Sequence, residues 1–148
     1  MTGSTGVRRA LPRDAAGIVL CLDALGYVSP CSDVVCRLQA LIDSDLDEVF
    51  VCEKDEGIVG MASLHTIPLL HRPGYLVRIT SLAVRPGFQR QGHGRRLLGA
   101  IENWSLAHGV SRVEVTSGDH RPLAHRFYEM AGYAAEERRF MKHLNAMT

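Results

Sequence analysis

The sequence predicts an α/β domain built on a mixed central sheet of about six or seven strands flanked by about four helices. Short β-branched segments alternate with segments of helical apolar spacing, and Tyr75 to Ser117 reads strand, glycine loop, helix, strand, a βαβ unit whose crossover should be right-handed. Composition agrees, since 148 residues with 46% hydrophobic and 22% charged side chains are an ordinary globular chain, large enough for one core. With no repeat, linker or low-complexity stretch, residues 1–148 are expected to form a single domain, of which residues 1–6 read as a loose leader. The longest apolar runs, such as Ile18 to Leu22, fall far short of the roughly 20 residues that cross a bilayer. No apolar secretory segment follows Met1, so a cytoplasmic location and no membrane partner are expected.

Val7 to Ala10 has the content of a short first strand. Pro12-Arg13-Asp14 opens a helical pattern through Ile18, Cys21, Leu22 and Leu25, stopped near Gly26. Ser29-Pro30-Cys31-Ser32 opens a second helix whose apolar set is Val34, Val35, Leu38, Leu41 and Ile42, closed by Asp43-Ser44-Asp45. Glu48 to Glu53 and Ile58 to Leu64 read as strands joined by the turn Asp55-Glu56-Gly57, hence a hairpin. Ile67 to Gly74 contains two prolines and reads as a loop or strand edge, and Tyr75 to Val84 as a long strand with Tyr75, Val77 and Ile79 on one face. After the break at Arg85-Pro86-Gly87, a helix starting near Gly92 to Gly94 carries the stripe Leu97, Leu98, Ile101 and Trp104 and stops at Gly109. Arg112 to Ser117 is the next strand. Pro122 begins a helix with the stripe Ala124, Phe127, Tyr128 and Ala131, and Tyr133 to Leu144 is expected to supply one or two short closing strands.

Charge is unevenly spread. Residues 1 to 56 carry ten acids and five bases, whereas Gly57 to Ile101 has no Asp or Glu and holds Arg72, Arg78, Arg85, Arg90, Arg95 and Arg96. Such a one-signed segment fits an anionic ligand, or else a solvated basic face. The four cysteines, Cys21, Cys31, Cys36 and Cys52, include no Cys-x-x-Cys pair and read as buried free thiols. Among seven histidines, His65 and His71, or His120 and His125, lack the same-face spacing of a helical metal site, so no metal is expected.

Gln89-Arg90-Gln91-Gly92-His93-Gly94-Arg95 falls beyond a strand's C-terminus and at a helix N-terminus, where unpaired N–H groups and the positive dipole end face an anion. A P-loop is excluded because no Gly-Lys-Ser or Gly-Lys-Thr follows the glycines. A dinucleotide fingerprint, with Glu114 as its acid, is disfavoured by Leu97 in the third glycine position and by the long connection from Arg85 to Gln91. The run Leu82-Ala83-Val84-x-Pro86-x-x-Gln89-Arg90-Gln91-Gly92-His93-Gly94-Arg95-x-Leu97-Leu98 instead resembles the acyl-CoA pyrophosphate loop of the GNAT superfamily of N-acetyltransferases. Ala124 to Tyr133 is similar to the family helix that carries a Phe-Tyr pair and closes with Gly-aromatic. The element order fits from about residue 7 to 144, but the specific motifs lie within residues 79 to 133.

The resemblance implies an acetyl-CoA-dependent N-acetyltransferase that moves the acetyl group by direct attack of an amine in a ternary complex. Leu82, Ala83 and Val84 would offer backbone groups to the pantetheine amides, and Gln89, Arg90, Gln91, Gly92, His93, Gly94 and Arg95 would hold the pyrophosphate. Tyr128 would protonate the leaving thiolate. The chain departs from the family at two places. Thr80-Ser81 stands where many relatives carry a glutamate base, and Arg121 where many carry Asn, so that Arg121 becomes a candidate CoA contact. His65, on the neighbouring strand, is the first replacement base; Glu53, Asp119, His120, His125 and an ordered water chain are others. A non-catalytic CoA-binding or regulatory module is the alternative that the missing glutamate raises. Nucleic-acid binding is disfavoured because few aromatics accompany the arginines. The acceptor, a small-molecule or peptide amine, is not encoded in any motif, and homodimerisation, common in that family, is left open.

Overall fold

The computed structural model describes residues 6–116, 122–137 and 139–145. The chain divides into two compact units, Met1–Thr116 and Ser117–Thr148.

The first unit is a sheet with helices on both faces. Its strands are β1 (Val7–Arg9), β2 (Asp47–Lys54), β3 (Gly57–Pro68), β4 (Tyr75–Val84) and β5 (Arg112–Val115), in sheet order β1-β2-β3-β4-β5. The first three pairings are antiparallel and β4–β5 is parallel, so the sheet is mixed as expected. The β2–β3 hairpin turns at Asp55 and Glu56. β3 runs on to Pro68, past the expected end at Leu64, because its ladder with β4 continues to the pair Pro68↔Tyr75. Pro68 is tolerated there because it closes the strand and owes the ladder no further N–H. The loop is thus shorter than expected, beginning after Pro68.

A 3-10 turn at Pro12–Asp14 leads into α1 (Ala15–Asp23), followed by α2 (Cys31–Ile42). One face of the sheet packs on these helices through Ile18, Cys21, Val34, Leu38, Val49, Val51 and Met61. Gly17 makes the close approach possible, since a Cβ there would stand 2.6 Å from the Ile58 Cβ. α2 buries only Val34 and Leu38, while Val35 and Ile42 of its expected apolar set are exposed. That set covers a wider arc than the contact uses. α3 (His93–Ala107) covers the opposite face with Leu97, Leu98 and Ile101, all essentially inaccessible to solvent. Burying each contributes about 2–3 kcal/mol.

The second unit contains α4 (Pro122–Met130), where Phe127 and Tyr128 meet edge to face and Tyr128 packs likewise on Tyr133. The expected closing strands are corrected. Among the described residues the sheet has five strands, not six or seven, and none lies between Tyr133 and Leu144. That segment contains no Val, Ile or Thr and no clear alternation, and its two aromatic residues, Tyr133 and Phe140, stand well apart, so little in it favours a pleated surface.

An ion pair anchors the entry into α1. The Arg8 guanidinium donates to both Asp14 carboxylate oxygens (2.8 and 2.9 Å) and to Glu53 (3.1 Å), and the Leu11 N–H donates to Asp14 at 2.7 Å. Asp14 is buried, which acts to raise its pKa, but the Arg8 and Leu11 hydrogen bonds outweigh burial and hold the carboxyl below the usual carboxylate range. Asp14→Ala should cost about 2–3 kcal/mol. Because the folded pKa is depressed, this contribution is complete above the unfolded carboxyl's pKa and is lost as pH falls through the folded value. Urea unfolding of both proteins should therefore show a difference at neutral pH that shrinks in acid.

Candidate active site

β4 keeps β3 along its whole length but loses β5 after the pair Ile79↔Val115. Among the described residues, Thr80 to Val84 therefore have a strand neighbour on one side only. The Arg85 N–H donates to the Val59 carbonyl (2.7 Å), so by the alternation of an antiparallel ladder Ala83 also faces β3. Leu82 and Val84 consequently turn their N–H and C=O groups to the open side. The Gln89 side-chain amide reaches the Val84 carbonyl from that side (3.2 Å). Of the three residues expected to offer backbone groups, Ala83 instead contributes a buried side chain.

The loop after β4 is fixed by its own contacts. Phe88 N–H donates to the Arg85 carbonyl (3.0 Å), and the Arg85 guanidinium donates to the Ile58 carbonyl (3.1 Å) while lying 4.5 Å from the Phe88 ring centre. Arg90 sits in the left-handed region with φ 65°, alone among the described non-glycine residues. Gly92, with φ 87°, is the N-cap of α3, and its carbonyl accepts the first helical bond from the Arg96 N–H. The N–H groups of that first turn have no acceptor within the helix, and no acid lies there to occupy them. An exposed loop ending on such a turn has the donors that can receive a phosphate.

His93 points away from such a ligand. Its side chain is buried, and its Nδ1 accepts from Arg96 Nη2 (2.6 Å) with the Cys52 sulfur at 3.5 Å. Burial first, then the Arg96 charge, lowers its pKa, so the ring is neutral with its proton on Nε2, an atom that is buried without a partner. His93 can serve an anion only through its backbone. The basic segment is also less free than its composition implies: Arg78 pairs with Glu114 (2.5 Å), Arg85 anchors the loop, and Arg96 holds His93.

Ser63, which the sequence reading passed over, lies where the expected glutamate is missing. β3 runs regularly while β4 carries an extra residue, since Ser63 pairs with Ser81 and Leu64 with Ile79. Thr80 is thus the bulged residue, and the bulge brings consecutive side chains to one place. The Ser63 hydroxyl contacts both Thr80 Oγ1 (2.6 Å) and Ser81 Oγ (2.5 Å). His65 follows Ser63 by two and shares its face. Its Nδ1 meets Asp47 Oδ1 (2.8 Å), and Asp47 Oδ2 accepts from the Ser44 hydroxyl (2.7 Å), so a carboxylate orients the imidazole. Ser63 and Ser81 also line a small apolar cavity of about 140 Å³ with Ile18, Leu22, Leu38 and Met61, and Arg37 is on its lining.

Tyr128 belongs to the second unit, with the ring contacts given above. Glu53 is engaged by Arg8. Arg121, Asp119 and His120 lie outside the described residues. Cys21 and Cys52 are buried thiols, whereas Cys31 and Cys36, expected to be buried, are exposed because their side of α2 faces away from the sheet. Among the described residues no three His, Cys, Asp or Glu side chains form a metal-binding cluster, and no helix is long and apolar enough to cross a membrane.

The acetyltransferase (GNAT) family model matches residues 23–133. The chain belongs to this family. It is 36% identical over 87 residues to an aminoalkylphosphonate N-acetyltransferase of Salmonella typhimurium, a match covering 59% of this chain and 56% of that protein, little more than half its length. Among solved structures, a transcriptional regulator of Bacillus halodurans superposes with a TM-score of 0.85 at 25% identity, covering 93% of this chain and 98% of the other. An aminoglycoside N-acetyltransferase in complex with CoA gives 0.83 at 14% identity over 95% and 94%, a likeness of fold alone.

Two outcomes test this geometry. Arg90→Gly removes a non-glycine side chain from the left-handed region and should stabilise the protein by about 1 kcal/mol, seen as a higher melting temperature. Iodoacetamide on the native protein should alkylate Cys31 and Cys36 and spare Cys21, whose pKa burial pushes up to about 11, and Cys52, whose pKa burial also raises; peptide mass mapping reads this directly.

Proposed function

We propose that this protein transfers an acetyl group from acetyl-CoA to a small amine by direct attack in a ternary complex. The observation that carries this reading is the open side of β4 running into the α3 N-terminus. The outward backbone groups of Leu82 and Val84 suit the amides of a pantetheine arm, and the first turn of α3, with Gly92 as N-cap, suits a pyrophosphate. Gly94, in that turn, belongs to the same cradle, with Gln89, Arg90, Gln91 and Arg95 around it. Acetyl-CoA would supply an activated acyl carbon.

The chain's own groups handle the protons. The amine must reach that carbon as a free base, and in place of the usual glutamate we assign deprotonation to His65, oriented by Asp47, and to the hydroxyl set Ser63, Thr80 and Ser81 on the same face, acting through water. As the new C–N bond forms and the C–S bond breaks, Tyr128 gives its phenolic proton to the departing sulfur. This role follows from its match to the family tyrosine. No cysteine carries the acyl group.

The cavity bounded by Ser63 and Ser81 is the proposed acceptor pocket. Its volume of about 140 Å³ is below the range for drug-sized ligands, which favours a short amine. Arg37 on its lining suits an anionic group on the same molecule, in keeping with the relative named for aminoalkylphosphonates.

Calorimetry with acetyl-CoA, using NADH and a short DNA duplex as controls, tests the cofactor. Binding should be selective and lost in Gly94→Glu; no binding by a folded protein would remove the whole reading. Tyr128→Phe should slow turnover about 100-fold with acetyl-CoA affinity kept. Acetyl-CoA binding without turnover of any amine would favour the CoA-binding module instead. Arg37→Ala should raise KM about tenfold for anionic amines and leave neutral amines unchanged.

A further inference from the structure

A second cavity, of about 360 Å³, lies at the other end of the sheet. It is bounded by the C-terminal part of α3 (Trp104), the end of β3 (Thr66), the start of β4 (Tyr75), and the α2–β2 connection with the start of β2 (Ser44, Asp45, Glu48). Tyr75 and Val84 are nine residues apart on β4, roughly 30 Å by strand rise, so this cavity is remote from the proposed phosphate cradle.

Two of its lining residues carry buried polar atoms with no partner, Thr66 Oγ1 and Trp104 Nε1, and Thr66 is only 7% exposed. An unmade hydrogen bond of this kind costs about 1–3 kcal/mol, and both occur around one cavity of small-molecule size. Their chemistry constrains what would satisfy them. An indole N–H only donates, so the missing partner must accept, while the Thr66 hydroxyl can do either.

The cavity's charge is acidic. Asp45 and Glu48 line the cavity and, among the described residues, no Lys or Arg does. Arg9 engages one oxygen of Glu48 at 3.3 Å from outside the lining, and the lining His108 has its Nδ1 committed to the Trp104 carbonyl (2.7 Å). The Trp104 and Tyr75 rings add aromatic surface to this acidic rim, the combination that holds a cation against a π face. His108 stacks on Trp104 with ring centres 4.0 Å apart, which fixes the indole.

We propose that this cavity is a second binding site, for a small organic cation that also carries a hydrogen-bond acceptor. Asp45 and Glu48 provide the counter-charge, Trp104 and Tyr75 the aromatic wall, and Trp104 Nε1 and Thr66 Oγ1 the hydrogen bonds. The proposal is independent of the acetyl-transfer reading.

The chain has one tryptophan, Trp104, so intrinsic fluorescence reports on this cavity directly. Titration with choline and with ethanolamine, each a cation with a hydroxyl, should change the emission saturably. Affinity should fall about tenfold or more in the Asp45→Asn/Glu48→Gln double variant and fall in Thr66→Val but persist in Thr66→Ser, with circular dichroism verifying the fold of each. Arg37→Ala, at the other cavity, should leave the titration unchanged. No saturable response to either amine in the millimolar range, a response that survives the double variant, or equal binding of neutral isopropanol would overturn the proposal.

Discussion

A strand that keeps one neighbour and loses the other halfway along sets the terms for the rest of the molecule. Backbone N–H and C=O groups need partners, and among the described residues β4 beyond Ile79 has a strand partner on the β3 side only. One side chain answers that shortage in part, and its neighbours fix the loop around it. Gln89 folds back to the Val84 carbonyl, Arg85 ties the loop to Ile58, and Gly92 starts α3 with its own donors facing out. Donors and acceptors are thus left in a line that runs from strand backbone to helix terminus. The proposed ligand, with amides at one end and phosphates at the other, would use both ends of that line.

The parts of this arrangement that depend on local chemistry were legible in the sequence. Apolar spacing in Leu97, Leu98 and Ile101 gave α3, the β-branched run gave β4, and the glycines at 92 and 94 marked the turn between them. What escaped depends on register. Nothing in the letters Ile79-Thr80-Ser81 says that Thr80 is an extra residue, yet that one slip brings Thr80 and Ser81 to the Ser63 hydroxyl. His93 escaped for a related reason: its place in a glycine loop reads as solvent-facing, but the first turn of α3 rotates it inward onto Cys52 and Arg96. The closing strands expected from Tyr133 to Leu144 fail differently, because that segment has no β-branched side chain and no alternation to hold a pleated register.

The acid-free segment shows how charge counted along a chain differs from charge presented to a ligand. Six arginines between Gly57 and Ile101 read as one field, but Arg78 is neutralised by Glu114, while Arg85 and Arg96 are fastened to the scaffold. A polyanion would need repeated free guanidiniums along a surface, whereas the proposed recognition would be concentrated at the loop before α3, where backbone donors carry direction as well as charge. That favours one compact anionic group over a nucleic-acid backbone.

The missing glutamate is best understood through the same bulge. A carboxylate there would act as a single strong acceptor, whereas three hydroxyls in contact offer both donors and acceptors and so can pass a proton without holding a charge. Such a set needs a terminal group that does accept the proton. His65 lies on the face of Ser63, with Asp47 bonded to Nδ1 and orienting its ring. Asp47 is in turn held by Ser44. On the proposed reading the work of one carboxylate would be divided between hydroxyls near the open strand and an imidazole backed by a carboxylate, and that division would require β3 and β4 to keep the register that the bulge imposes.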